Sequence, residues 1–312
     1  MRSHATAVSI PSPVRGRRAG IAAVLCANLF WSFGGVLGKA ADAGGVVLSF
    51  WRMWIATGLM AIVVLVSGRR PSFIDLRRAA PLGVLFGLNI CAFFTTLQYL
   101  SIAVTLVIGA LTPVVALPIA VVVLCERLTA VKVICAVLAI GGVIVSILSA
   151  PSGPGDTPNT GAGYVWAVVS LLLWVGYLLV AKRVRSNVDT IPFMFVMSFV
   201  GALTLSIVVP VVGEDLGRLR GTGWLWAALL AIGPGLMGHS LLVWAQPRVD
   251  ASVSSLLIQL EPIGASIAAW VLLGERMTLG QGISMTVVIG ALGVLAQREA
   301  REVDVALDEA LA

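Results

Sequence analysis

Ten apolar stretches divide this chain, at approximately 21–40, 46–66, 80–100, 102–124, 130–148, 162–181, 191–212, 224–245, 251–273 and 279–297. Each is near the ~20 residues a helix needs to cross a hydrocarbon core. Backbone polar groups in lipid must be paired within their own segment, so runs of this length predict helices. The polar interval 150–161, rich in Pro, Gly and Thr, predicts a flexible linker. The fifteen residues from Arg298 mix charges with Ala and Leu and read as a short solvated helix or a frayed tail.

One pattern is written twice. Leu111-Thr112-Pro113 followed by Cys125-Glu126-Arg127-Leu128-Thr129 returns 149 residues later as Leu260-Glu261-Pro262 and Gly274-Glu275-Arg276-Met277-Thr278. The seam falls near residue 150. An internal duplication in a hydrophobic chain is the pattern of secondary transporters built from two related halves. The predicted organisation is a tail (1–20), a first five-helix repeat (21–149), the linker (150–161), a second five-helix repeat (162–297) and a second tail (298–312).

Composition agrees with the pattern. Of 312 residues, 59% are hydrophobic and 12% charged, with a mean hydropathy of +1.01. Ordinary soluble domains carry about 25% charged residues. The expected class is an all-α polytopic membrane protein. The net charge of +6 does not point to nucleic acid, because the basic residues lie between spans and sort by side. Starting with the N-terminus inside, sixteen of the 21 Lys and Arg fall on the inner side; Lys39, Arg218, Arg220 and Arg276 fall on the outer side, and Arg52 lies within a span. That bias predicts both termini in the cytoplasm. Five spans per half is an odd number, so the second half inserts upside down relative to the first. The excess of Arg over Lys hints at a bacterial genome and hence a plasma membrane.

A cleaved signal peptide is the competing reading of the first span, given Arg15, Arg17, Arg18 and Ala41-Asp42-Ala43. Against it, the span holds Asn28, Trp31 and several glycines. It also has a counterpart: Trp31 and Lys39 are eight apart, as are Trp174 and Lys182.

These features resemble the drug/metabolite transporter superfamily and, within it, the EamA-type ten-helix carriers. The resemblance rests on Trp31/Lys39 and Trp174/Lys182, on Arg52, on the block from Pro113 to Thr129 repeated from Pro262 to Thr278, and on Gly141, Gly142, Gly290 and Gly293. Met197 stands where a second Arg would match Arg52. The resemblance implies export of amino acids, drugs or other small metabolites.

Arg52 and Glu261 are the formally charged side chains that fall well inside spans. An ionisable group at bilayer depth costs several kcal/mol and persists when it faces the bundle interior or a wet cavity. Glu261, near the middle of the ninth span, is a candidate proton-coupling or amine-binding group; the structural alternative is a paired or protonated Glu beside a proline bend. Arg52 could receive a substrate carboxylate, snorkel to the outer headgroups, or hold two helices together by a salt bridge.

Ser252, Ser255, Gln259, Pro262 and Ser266 share one helix face; Ser254 and Glu261 share its neighbour, matched in the fourth span by Thr105 and Thr112. Such stripes line a cavity or bind helices together. Asn28, Trp31, Asn89, Gln98 and His239 complete the polar or amphipathic set. For His239 the alternative to a proton relay is simple packing; for Trp31, stacking on a ligand competes with core packing.

Pro113, Pro118, Pro262 and Gly233-Pro234-Gly235 predict bent or broken helices. Gly34/Gly38 and Gly83/Gly87 predict close helix approach. Thr278 and Gln281 predict a capping box, and the Glu-Arg-x-Thr blocks read as helix starts at the membrane edge. The four cysteines show no metal spacing and read as small buried hydrophobes.

No Walker A, HExxH, CxxC or GxSxG motif occurs. Neighbours on a helix point about 100° apart, so Gly238-His239-Ser240 supplies no catalytic dyad. The expected protein is therefore not an enzyme and uses no cofactor or metal. The reading favoured by the residues is a secondary exporter of small amphipathic solutes, driven by protons or by exchange. The alternatives are a same-fold exchanger of sugar phosphates or nucleotide sugars, which would want more cavity cations than Arg52, and a non-transport accessory subunit. The expected partners are a small-molecule substrate, the lipid bilayer and protons; a homodimer is compatible with the sequence but not indicated by it.

Overall fold

The computed structural model describes residues 13–112, 114–115, 130–149, 159–184, 189–245, 248–249, 257–258 and 260–311, and all structural statements below concern those residues. Among them every regular element is helical. In chain order they are α1 (Pro13–Ser32), α2 (Gly34–Ala40), α3 (Gly45–Ser67), α4 (Phe73–Tyr99), α5 (Ile102–Gly109), α6 (Ala130–Leu148), α7 (Gly161–Val184), α8 (Thr190–Val212), α9 (Gly223–Leu230), α10 (His239–Ala245), α11 (Glu261–Leu273) and α12 (Leu279–Leu311). A π-helical segment, Ala231–Gly238, joins α9 to α10. Six stretches are long and apolar enough to cross a membrane: 18–40, 45–67, 73–99, 161–180, 190–212 and 223–242. Three shorter apolar helices lie at 133–148, 261–273 and 279–291.

Boundaries follow local chemistry. α4 starts well before the apolar run because Ser72 and Asp75 form a capping box, each side chain accepting from the other's backbone N–H. The box expected for the last span is present too: Thr278 Oγ1 accepts from Gln281 N at 3.2 Å, and Gln281 Oε1 accepts from Thr278 N at 3.1 Å. Thr278 Oγ1 also donates to Ser149 O at 2.7 Å, fixing the start of α12 against the end of α6. α12 continues through the charged tail to Leu311, so the tail is helical rather than frayed.

Packing joins the two sequence halves directly. α4 packs on α7 and α8, α3 on α8, α6 on α12, and α1 on the π segment, α10 and α11. Numbered by the ten apolar stretches of the sequence, the third lies on the sixth and the eighth on the first; the fourth lies on the sixth and the ninth on the first. The second lies on the seventh and the fifth on the tenth. Exchanging the halves maps this set of contacts onto itself.

Contacts between ends also sort. One end gathers Lys39, Tyr99, Ile102, Ser149, Thr160, Glu275 and Thr278 through direct bonds. The other gathers Arg69 with Asp189 at 3.1 Å.

Gly83 and Gly87 carry a close helix crossing. A Cβ at Gly83 would lie 2.7 Å from Met197 O, and one at Gly87 2.9 Å from Gly201 O. The opposing atoms are backbone and cannot swing away. Gly83→Val should therefore cost more than the ~1–3 kcal/mol usual for overpacking. It should cut the monodisperse yield in detergent severalfold on size exclusion. Gly58→Val, where nothing lies within 4 Å, should leave that yield unchanged.

The cysteines are split. Cys91 and Cys135 are buried as expected, but Cys26 is exposed, and Cys125 lies outside the described residues. Cys26 lies on the outward face of α1 with Leu25 and Leu29.

Candidate functional site

The fourth and ninth spans break at matching places. α5 ends at Gly109, and the chain turns at Ala110 and Leu111 before helix resumes at Thr112. In the ninth span the turn is at Leu260, and α11 starts at Glu261. Leu111 N donates to Ile108 O at 3.0 Å, and Leu260 N to Leu257 O at 3.1 Å. Val115 N donates to Leu111 O at 3.0 Å, and Gly264 N to Leu260 O at 3.1 Å. Both pairs of bonds are related by the 149-residue offset. The cause is shared: a proline two residues after each turn lacks the N–H that would continue the ladder.

Glu261 is the first residue of α11. The lipid side of this helix is marked by Ile263, Ile267, Trp270 and Val271, with Trp270 62% exposed. At ~100° per residue Glu261 lies on the opposite side, in line with buried Ala265 and Ala268. Yet it is only half-buried itself. The residue sits on the inward face of α11. Among the described residues it has no ion-pair or hydrogen-bond partner.

α1 supplies the facing wall. Asn28 is buried and its Nδ2 donates to Leu257 O, the carbonyl just before the ninth-span turn. Its Oδ1 is enclosed with no partner among the described residues. Ser32, one turn on, packs against Gly264, which has no side chain to keep it away. Glu261 thus falls between two α1 contacts. Ser266 lies deeper on α11, buried, with its hydroxyl likewise unpartnered among the described residues.

Trp31 and His239 meet beside this wall. Trp31 Nε1 donates to Pro234 O at 3.0 Å, and His239 Nδ1 lies 3.0 Å from the same oxygen. Trp31 Nε1 also lies 3.3 Å from His239 Nδ1, so the indole, the imidazole and the Pro234 carbonyl form one cluster. The rings meet edge to face at 5.1 Å, and Phe86 adds a second edge contact to His239. The role of His239 here is to hold the π segment to α1 and α4.

Arg52 lies elsewhere in the bundle. It is 4% exposed, on α3, with its guanidinium carbon 5.3 Å from the Phe94 ring centroid and its nitrogens against Gly235 of the π segment. Snorkelling, one of the readings open from sequence, does not fit so enclosed a group.

Two further candidates have local roles. Asn89 Nδ2 donates to Ser170 O at 2.8 Å and Ser170 Oγ at 3.1 Å, which ties α4 to α7. Thr112 Oγ1 donates to Gly109 O at 2.7 Å, satisfying a carbonyl at the turn. Gln259, Ser255, Ser252, Ser254, Pro113, Pro118, Glu126 and Thr129 lie outside the described residues.

Sequence reasoning missed one arrangement. Glu275 Oε1 pairs with Lys39, and its Oε2 accepts from Ile102 N at 3.1 Å. One carboxylate thus ties the end of α2, the start of α5 and the end of α11. The positive-inside count placed Lys39 and Glu275 on one side, but nothing in the sequence paired them.

A bundle of helices long and apolar enough to cross a membrane, with two chain breaks beside inward polar groups, is the setting in which the comparisons place the chain among multi-pass membrane transporters. The profile of the EamA-like transporter family matches residues 18–148 and again 161–297, and the chain belongs to that family, within the drug/metabolite transporter superfamily. It is 26% identical over 238 residues to an uncharacterized transporter of Archaeoglobus fulgidus, covering 75% of this chain and 82% of that protein. A solved crystal structure shares its fold with a TM-score of 0.61 at 19% identity, over 92% of this chain and 99% of its own.

Proposed function

We propose that this protein is a secondary active transporter that exports small amphipathic metabolites, amino acids or drug-like compounds, by proton-coupled alternating access. The observation that carries this reading is Glu261: an inward, half-buried acid at the break of a span, with the same break written into the fourth span. Half-helices meeting at mid-depth are where carriers of this kind hold substrate and coupling ion.

The chain is read as ten spans in two inverted five-helix repeats, 21–149 and 162–297, in a bacterial plasma membrane with both termini in the cytoplasm. The self-mapping packing and the twofold family match support the repeat. The sixteen-to-four split of Lys and Arg supports the orientation. Glu261 carries the proton or the substrate amine. Asn28, Trp31, Thr112, Ser255, Gln259 and His239 shape its surroundings, and Asn89 steadies the wall behind them. The Lys39–Glu275–Ile102 tie closes the outer end. Among the described residues Arg52 is the one buried cation, which suits a monoanionic group better than a sugar diphosphate.

The test is purified protein in liposomes with a trapped pH dye, offered a panel of amino acids and cationic drugs. At least one solute should move protons above the protein-free rate. A panel that neither moves protons nor exchanges with preloaded solute would overturn the reading.

A further inference from the structure

A cation without an anion stands at Arg52. Its Cα lies seven residues in from Gly45, the start of α3, or ~10 Å along the helix. The side chain is 4% exposed, so headgroups do not solvate it. Among the described residues no carboxylate pairs with it and nothing accepts a hydrogen bond from it; Nη1 is fully enclosed and unpartnered. The acids at the neighbouring end are engaged elsewhere, Glu214 with Arg218 at 2.9 Å and Glu275 with Lys39. Holding an ionised guanidinium in this way is costly unless a counter-charge arrives.

The groups around it are apolar or bare backbone. Phe94 offers its ring to the guanidinium, a contact that leaves the N–H edges unused. On another side is Gly235, in the π segment. A Cβ there would lie 3.6 Å from Nη2 and 3.8 Å from Nε, so the glycine keeps bare backbone opposite the fork. Met53 and Leu97 are buried in the same core as Phe94, so the neighbourhood is apolar. A planar fork of N–H donors in an apolar setting matches a carboxylate bidentately. One buried cation balances one negative charge, which favours a monocarboxylate over a phosphate dianion.

We propose that Arg52 is the docking point for the carboxylate of the transported solute, making the preferred substrates apolar monocarboxylates, zwitterionic amino acids among them. The inference rests on the transport reading and narrows it. It also makes Gly235 a specificity position, because a side chain there would intrude on the fork.

The experiment compares amino acids with their carboxamides, leucine with leucinamide and phenylalanine with phenylalaninamide, in phosphatidylcholine liposomes that contain no anionic headgroup. Wild-type protein should move the acid at least tenfold faster than the amide, and Arg52→Gln should erase that preference while still moving amide. Arg52→Lys, which keeps charge and loses the fork, should fall between. Equal wild-type rates for acid and amide would overturn the inference and leave the transport reading standing. Parallel loss of acid and amide in both variants would make Arg52 structural and overturn it too. If the wild-type protein moves no solute of either kind, the transport reading fails first and takes this one with it. The wild-type acid-to-amide ratio needs no variant to fold.

Discussion

Glu261→Gln protein, reconstituted in liposomes, should lose proton-driven solute movement while keeping downhill exchange. The substitution preserves volume and removes only the ability to carry a proton or a negative charge. The residue makes no hydrogen bond or ion pair among the described residues, so the fold should tolerate it. The pH-dye response to solute should drop at least about tenfold, the factor that ~1.4 kcal/mol represents. Counterflow of preloaded against external solute should persist. Glu261→Asp, one methylene shorter, should recover part of the dye response. A Glu261→Gln protein that still moves solute against its gradient when only a pH difference is supplied would remove the coupling role.

Opening the outer tie should have the second large effect. Glu275, in the connection between α11 and α12, holds Lys39 of α2 and the Ile102 N–H of α5 together. Glu275→Gln leaves a cation and a backbone donor with weaker partners, a loss of about 1–3 kcal/mol for a buried or part-buried group. Spent on a two-state closure, that free energy shifts populations by roughly 5–150-fold. Thr105, buried one turn below Ile102 on α5, is a suitable reporter. In a background without native cysteines, Thr105→Cys should react several times faster with a membrane-impermeant thiol reagent applied from outside when Glu275→Gln is added. The swap Lys39→Glu with Glu275→Lys restores attraction but not the bond to Ile102, so it should recover the slow rate only in part. Identical labelling with and without Glu275→Gln would mean the tie is not a closure.

Much of the helix pattern was legible because it depends on local rules. The 130–148 span matches α6 end to end, and the Thr278–Gln281 box forms as its spacing requires. The glycine pair at 83 and 87 meets backbone across α8, as small residues four apart predict. Prolines announced the breaks, and two of them, Pro113 and Pro262, stand 149 residues apart in the sequence. The Gly233-Pro234-Gly235 break was also announced, but its form was not. The segment widens to a π-helix, and Trp31 and His239 share the Pro234 carbonyl.

What sequence left open depends on partners. Periodicity puts Glu261 on a face; only the packing of α1 against α11 shows that the face is inward. Arg52 had three readings from sequence, and its enclosure tells against snorkelling. Asn89 looked like a cavity residue because it is polar within a span, yet Ser170, eighty-one positions away, takes its amide. Cys26 was read as buried because cysteine usually is; its place beside Leu25 and Leu29 turns it outward. The Lys39–Glu275 pair is separated by 236 residues, and composition carries no trace of it.

The most direct measurement is thiol accessibility along α11 in a background without native cysteines. Glu261→Cys should react with a small hydrophilic methanethiosulfonate reagent in intact proteoliposomes, and transported solute should slow the reaction. Ile267→Cys, at a position 50% exposed on the lipid side of the same helix, should stay unreactive. If position 261 is as inert as position 267, or solute leaves its labelling unchanged, the acid does not face a shared aqueous path.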